Sequence, residues 1–528
     1  MSQEFTLFVN FCITANSGTG SFDNVTNWLL SNSGNEDLLL SEGPINFLLK
    51  FMAPVDILKT LLRLQPSITF IKFSEGWMAL HLAACSSVTV EVMELILEHN
   101  TAALLTKDSM GNSPLHCAVK YYAPVPVITY LVSCNPPGRH RNQMLATNKS
   151  GQTPLHIACS NNPMVILFTS PRFYDIEVIK VKDKKGNLPL HLACFNSNSG
   201  SDLVNKLIIL YPEALQIPND EGNLPLHMAC AGKAKEELLQ KLFEEYPDAA
   251  KVKNNGGGLP LHVACENNAP PYTIIWLLSK YPEAAKERDI KGNLPIHHQC
   301  HHHIIDISSL QRFEALLKEH PISPYVHNND GKVPSCCFQR DLGDELISYA
   351  RMAITEGYSA HLVALLLADF QFEARFWRDE DGNCLLHHAC NKSGAEISCQ
   401  TIALLLNLFP ESPKIVNYNG ETPTDFLKQA ATYKDSAGRL LLHRVAKLEG
   451  SFATELNVSE DVINFVADAY PNSISVPDYN GMLPLHHACL NSWCDEEIVF
   501  ALLQRYPNSL VVTPTMVVVR KTKRIKLG

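Results

Sequence analysis

A histidine followed three residues later by a cysteine occurs seven times, at His156/Cys159, His191/Cys194, His227/Cys230, His262/Cys265, His297/Cys300, His387/Cys390 and His486/Cys489. On a helix such a pair shares one face, and imidazole beside thiolate is a ligand pair for a soft metal such as zinc. A second cluster, His297-His298-Gln299-Cys300-His301-His302-His303, puts His298 and His302 at the i, i+4 spacing of a surface metal pair, with only Asp306 following as a further ligand. Context argues against both readings. Six of the seven pairs stand behind a similar run with proline two residues before the histidine, as in Gly222-Asn223-Leu224-Pro225-Leu226-His227-Met228-Ala229-Cys230. A metal site has no use for Leu-Pro-Leu in front of it. A close helix contact does need a small buried residue, and free cysteine supplies one. The pairs are therefore expected to pack, and no metal or other cofactor is expected. No P-loop, nucleophile elbow, dinucleotide fingerprint or zincin motif occurs, so no catalytic residue is assigned.

What positions these residues is an internal repeat. The motif histidines are His81, His116, His156, His191, His227, His262, His297, His387, His443 and His486; from His156 to His297 they are spaced 35, 36, 35 and 35 apart. Cys336 and Asp425 stand where two further copies have lost the histidine. From His116 onward a glycine lies five residues before each such position, and Asp or Asn three before that, from Asp108/Gly111 to Asp478/Gly481. Asp or Asn opens a turn through its side chain, and glycine supplies the left-handed position that closes it. Proline then suits the first position of a short helix, where a missing N–H is no loss. An apolar i, i+3, i+4 run such as Leu203, Leu207 and Leu210 builds a second helix. Tyr211-Pro212 stops it, as do Tyr246-Pro247, Tyr281-Pro282, Tyr470-Pro471 and Tyr506-Pro507, because the residue before proline disfavours the helical region. The tyrosines read as packing at helix ends.

This pattern resembles the ankyrin repeat over residues 41 to about 512. The family's Thr-Pro-Leu-His is intact at Thr153 to His156, while Leu188, Leu224, Leu259, Leu294 and Leu483 replace the threonine, which removes a side-chain N-cap. The Tyr-Pro … Gly-x-Leu-Pro-Leu-His-x-Ala-Cys variety looks like the expanded ankyrin families of algal protists. The resemblance implies an all-α ankyrin-type solenoid of helix-turn-helix repeats joined by short β-hairpin-like turns, about thirteen units in a curved rod. It also implies that each histidine bonds backbone between adjacent hairpins.

The expected organisation is a polar N-terminal segment (1–40), a solenoid with an N-terminal cap (41–335), and a degenerate repeat with an insertion (336–359). Irregular repeats (360–512) and a basic tail (513–528) follow. The stretch from Gln339 to Gly357 is expected to protrude, and the 18-residue spacing between Asp425 and His443 to interrupt the stack, being too short for a second helix. Arg520 to Lys526 holds five basic residues in seven, a nuclear-import candidate.

A net charge of −10 argues against nucleic acid as a partner. The longest apolar runs, such as Leu362 to Leu367, are too short to cross a membrane. The first basic residue is Lys50, so no secretion signal is expected from Phe5 to Ala15. Sixteen cysteines, seven of them at one repeat position, fit a reducing, cytoplasmic compartment. Packing positions repeat while turn tips vary, so the expected function is that of a monomeric scaffold or adaptor binding an unidentified protein through its concave face. The expected contacts are Lys184, Lys185, Glu221, Asn255, Ile290 and Lys291. Readings from other classes are a metal-buffering protein using the His/Cys positions and an enzyme built on the insertion.

Overall fold

The computed structural model describes residues 3–17, 22–35, 39, 42–50, 53–86, 88–134, 143–161, 175–196, 201–302, 306–338, 343–392, 397–448, 458–491 and 496–507. The chain divides into two compact units, Met1–Ala269 and Pro270–Gly528. Each is an all-α stack of helix-turn-helix repeats, with no strand among the described residues.

The His191 repeat shows how the sequence makes one unit. The Asp183 side chain accepts from the backbone N–H groups of Lys185 and Asn187, both at 2.9 Å, and Gly186 closes the turn at φ 72°. Pro189 is the first residue of the helix Pro189–Phe195. The second helix, Ser201–Leu210, stops at Tyr211, and Pro212–Gln216 winds into a 3-10 turn that buries Ala214 and Leu215. That 3-10 turn recurs at Pro247–Lys251, Pro282–Lys286 and Pro471–Ile474. First helices lie on first helices: Pro189–Phe195 packs between Pro154–Asn161 and Pro225–Ala231. Cys159, Cys194 and Cys230 are fully buried at these contacts, and burial pushes each thiol up. They act as small core residues, as the repeat position demands. Cys489 is exposed, because no later first helix covers it among the described residues.

Two expectations need correction. Residues 1–40, read as a polar segment, contain the helices Gln3–Asn16 and Phe22–Ser31. Phe8, Cys12, Val25, Trp28 and Leu29 are buried between them and the next repeat, with Phe8 and Trp28 ring centroids 4.6 Å apart. Spacings of three and four residues make each an amphipathic helix despite the polar composition around them. The stretch from Gln339 to Gly357 does not protrude. Its described part forms the helix Gly343–Glu356, which buries Leu346, Ile347, Ala350, Ala353 and Ile354 against Ala360–Leu367 and Leu385–Cys390. Apolar residues at 346, 347, 350, 353 and 354 give this stretch the period of a helix whatever the repeat length.

Among the described residues the short spacing after Asp425 lacks a second helix, as expected, and no backbone bond joins the turns on either side of it, while helix packing continues past it. The first helix Pro423–Ala431 is lengthened and packs on both Leu385–Cys390 and Glu460–Ala469. Residues 449–457, His303 and the basic tail lie outside the described residues.

Glycine is required twice over where turns stack. In Gly222, at φ 79°, a Cβ would stand 2.5 Å from the backbone nitrogen of Asn255 in the next turn. Gly331, at φ 74°, has nothing within 4 Å of that position. Gly331→Ala is therefore expected to cost about 1–2 kcal/mol, the left-handed penalty alone. Gly222→Ala should cost about 3 kcal/mol or more, because steric overlap adds to it. Chemical denaturation of the two variants checks this, and equal losses would show that close stacking of the turns does not matter.

Candidate protein-binding surface

The repeated histidine is a backbone clasp. In all ten motif copies its Nδ1 accepts the backbone N–H three residues earlier, from Met78 to His81 (3.3 Å) through Leu224 to His227 (3.2 Å) to Leu483 to His486 (2.9 Å). At Thr153 the hydroxyl also accepts from the His156 N–H, the other half of a capping box; at Leu188, Leu224, Leu259, Leu294 and Leu483 only the imidazole half remains, holding the N–H of the residue that precedes the helix. With Nδ1 accepting, the proton must sit on Nε2. Nε2–H then donates to a carbonyl of the following turn: His81 to Asn112, His116 to Gln152, His156 to Asn187, His191 to Asn223, His227 to Gly258, His297 to Lys332, His387 to Glu421 and His443 to Met482, at 3.0–3.3 Å. Burial pushes the His116, His191, His227, His297 and His443 imidazoles down to about 4, outweighing the carbonyls that favour their charged form. The clasp is neutral at pH 7.

Wherever one of those eight clasps is made, the turns it joins also touch. Backbone bonds at 2.7–3.1 Å run from Ser109 to Glu75, Lys149 to Met110, Lys184 to Ser150, Asp220 to Lys185 and Asn255 to Glu221 in the first unit. The second unit has Asn329 to Lys291, Tyr418 to Asp381 and Tyr479 to Ala437. The row breaks twice in the second unit. Among the described residues no backbone bond joins the Asn328 turn to the Asp379 turn, or the Asn417 turn to the Asp435 turn. Gly331 and Gly420 accordingly face open space. These breaks follow the two copies that lost histidine, at Cys336 and Asp425. Asp425 still caps its helix, accepting from the Thr422 N–H at 2.8 Å, but a short carboxylate has no proton to donate across the gap.

A second network runs between turns and was missed in the sequence. Asn148, Asn219, Asn254, Asn328 and Asn417 each donate Nδ2–H to the side-chain oxygen of an asparagine in the preceding turn, namely Asn112, Asn187, Asn223, Asn293 and Asn383, at 2.8–3.1 Å. A turn opens with Asn where the preceding turn has Asn after its glycine, and with Asp in the other six cases. Only the amide can donate across to that oxygen.

The histidine next to the motif histidine is also engaged. His298, His388 and His487 stand 3.0, 2.9 and 2.9 Å from Asp289, Asp379 and Asp478 of their own turns. His298 therefore faces its own turn instead of pairing with His302. Among the described residues no group of three or more His, Cys, Asp or Glu side chains is arranged to hold a metal ion.

The frame leaves the turn tips outward. Lys184, Lys185, Glu221 and Asn255 are exposed in the first unit, in successive turns joined by the backbone ladder. Ile290, 67% exposed, and Lys291 begin the row of the second unit. Beneath the tips of the first unit lies a groove of about 630 Å³. Asp220, Glu221 and Asn255 form its rim, Met228 and Val263 of the first helices Pro225–Ala231 and Pro260–Glu266 its floor, and Glu266 its far end.

A family model described as ankyrin repeats matches the chain in three copies, over residues 49–142 and 127–208. No curated protein was found to match. Among the described residues no helix is long and apolar enough to cross a membrane. Ankyrin repeats are protein–protein interaction modules and are typically non-catalytic. The chain thus carries ankyrin repeats over residues 49–208, and the same clasped turn, helix and return continues through both units.

Proposed function

We propose that this chain is a non-catalytic scaffold or adaptor, a cytoplasmic monomer that binds a protein partner through the concave face made by its turn tips and first helices. Lys184, Lys185, Glu221 and Asn255 of the first unit, and Ile290 and Lys291 of the second, are the proposed contacts. One observation carries the reading: the polar groups that recur in every repeat are bonded within the frame, while the exposed tip residues differ from turn to turn. Varied side chains held on a rigid ladder are what selective recognition needs.

A photo-crosslinking residue at Lys184 or Asn255 of the full chain is expected to capture a discrete protein in cells. At Glu244, exposed on the second helix Glu236–Glu245, it should capture less. Against the captured protein, Lys184→Glu with Lys185→Glu should lower affinity by roughly 1–3 kcal/mol without changing the melting temperature. A larger loss from Glu237→Lys with Glu244→Lys would move the binding face to the second helices.

A further inference from the structure

Three features of the groove in the first unit specify what it can hold. Its rim carries two adjacent carboxylates, Asp220 and Glu221, and its far end a third, Glu266. Its floor is apolar, with Met228 half-buried and Val263 buried. Among the described residues that line it, none is lysine or arginine. The tip row also changes sign here: the preceding tip, Lys184-Lys185, is basic and lies outside the groove.

From this geometry we infer that the groove receives a partner-protein segment with an apolar residue at its centre and lysine or arginine on both sides. The inference rests on the concave-face reading and adds the chemistry of the partner. Separated negative ends favour a ligand with two positive ends. The apolar floor between them rewards burial of a side chain that a purely charged ligand lacks. Three carboxylates lining one groove that has no lysine or arginine in its described lining also repel acidic segments, so the site rejects as well as selects. Because the Asn255 N–H is bonded to the Glu221 carbonyl at 3.0 Å, the two rim tips are fixed before binding, and little ordering cost falls on this side.

The test uses the full chain and fluorescein-labelled peptides read by anisotropy. The first peptide has a Leu-Met-Leu centre flanked on each side by Lys-Arg. In the second Ser-Gly-Ser replaces the centre, and in the third Glu replaces every basic residue. The first should bind saturably, the second at least about tenfold more weakly, and the third not measurably. Glu221→Lys with Glu266→Lys should weaken the first peptide by about tenfold or more at an unchanged melting temperature. Lysine at the end of the helix Pro260–Glu266 suits that helix terminus, so the variant is expected to fold. Met228→Asn should weaken the first peptide and leave the second unaffected. Equal binding of the first two peptides, or full competition by spermine, would reduce the groove to a cation sink and overturn the inference. So would binding unaffected by Glu221→Lys with Glu266→Lys, or no binding by any peptide. If the groove fails while crosslinks at Lys184 still mark a partner, the concave-face reading stands alone; if both fail, neither stands.

Discussion

Lowering the pH from 7 to 5 should destabilise the array by about 2 kcal/mol for each clasp histidine held near 4, above the range in which the turn aspartates lose their charge. The unfolded chain binds a proton on histidine at about 6.5, whereas the buried imidazoles of His116, His191 and His227 resist protonation until about 4. Between those values the unfolded state holds more protons than the folded one. The stabilisation is thus complete above about 6.5, falls as the pH drops through the window, and levels off below about 4. The turn aspartates act in a different window. Burial pushes Asp289 and Asp478 up, but hydrogen bonds from Asn293 and His298, and from Met482 and His487, outweigh it and hold both carboxyls below the usual range. Their contribution is lost only as the pH falls below about 4. Thermal melts at pH 7, 6, 5 and 4 separate the two. A melting temperature that holds from pH 7 to 5 and drops only below 4 would mean that the histidines are not buried neutral.

Replacing one clasp should be nearly as costly. His227→Ala removes the acceptor for the buried Leu224 N–H and the donor to the Gly258 carbonyl, and leaves a cavity in a fully buried site. Two unsatisfied backbone groups and the lost packing amount to roughly 3–5 kcal/mol. His227→Asn can restore the cap through its side-chain oxygen, as Asp425 does for Thr422, but cannot reach the next turn. It is expected to recover about 1 kcal/mol. Denaturant titration measures both, and hydrogen exchange at Asn255 reports the ladder. If Asn255 stays protected in His227→Asn, the turns are held in register by something other than the clasp.

Much of this was legible in residue order. The Asp/Asn and glycine spacing gave the turn, proline gave the helix start, and Tyr-Pro gave the stop. Each is a local backbone rule acting within five residues. The histidine's two bonds were legible only in part, because one partner lies about 35 residues away in a neighbouring turn. The asparagine network left a signal that went unread: Asn219 follows Asn187 and Asn254 follows Asn223, whereas Asp183 follows Gln152. Repeat logic also misled. Leu346, Ile347 and Ala350 carry an ordinary helical pattern, and a length that breaks the repeat does not by itself make an insertion protrude. Phe8 and Trp28 meet across two helices, while serine, asparagine and glycine around them dominate the composition of residues 1–40. The groove could not be read at all, because Glu221, Met228 and Glu266 meet only once two repeats are stacked.

The central claim is that the histidines are structural clasps in the neutral Nε2–H form, leaving the tips and groove for binding. Histidine-selective nitrogen-15 labelling, with imidazole resonances recorded at pH 7 before and after zinc, tests it most directly. The account predicts a bare, accepting Nδ1 and a protonated Nε2 for the clasp histidines, titration near 4 for those of His116, His191 and His227, and no change with zinc. Loss of the Nε2 proton at clasp histidines with stoichiometric zinc would contradict it.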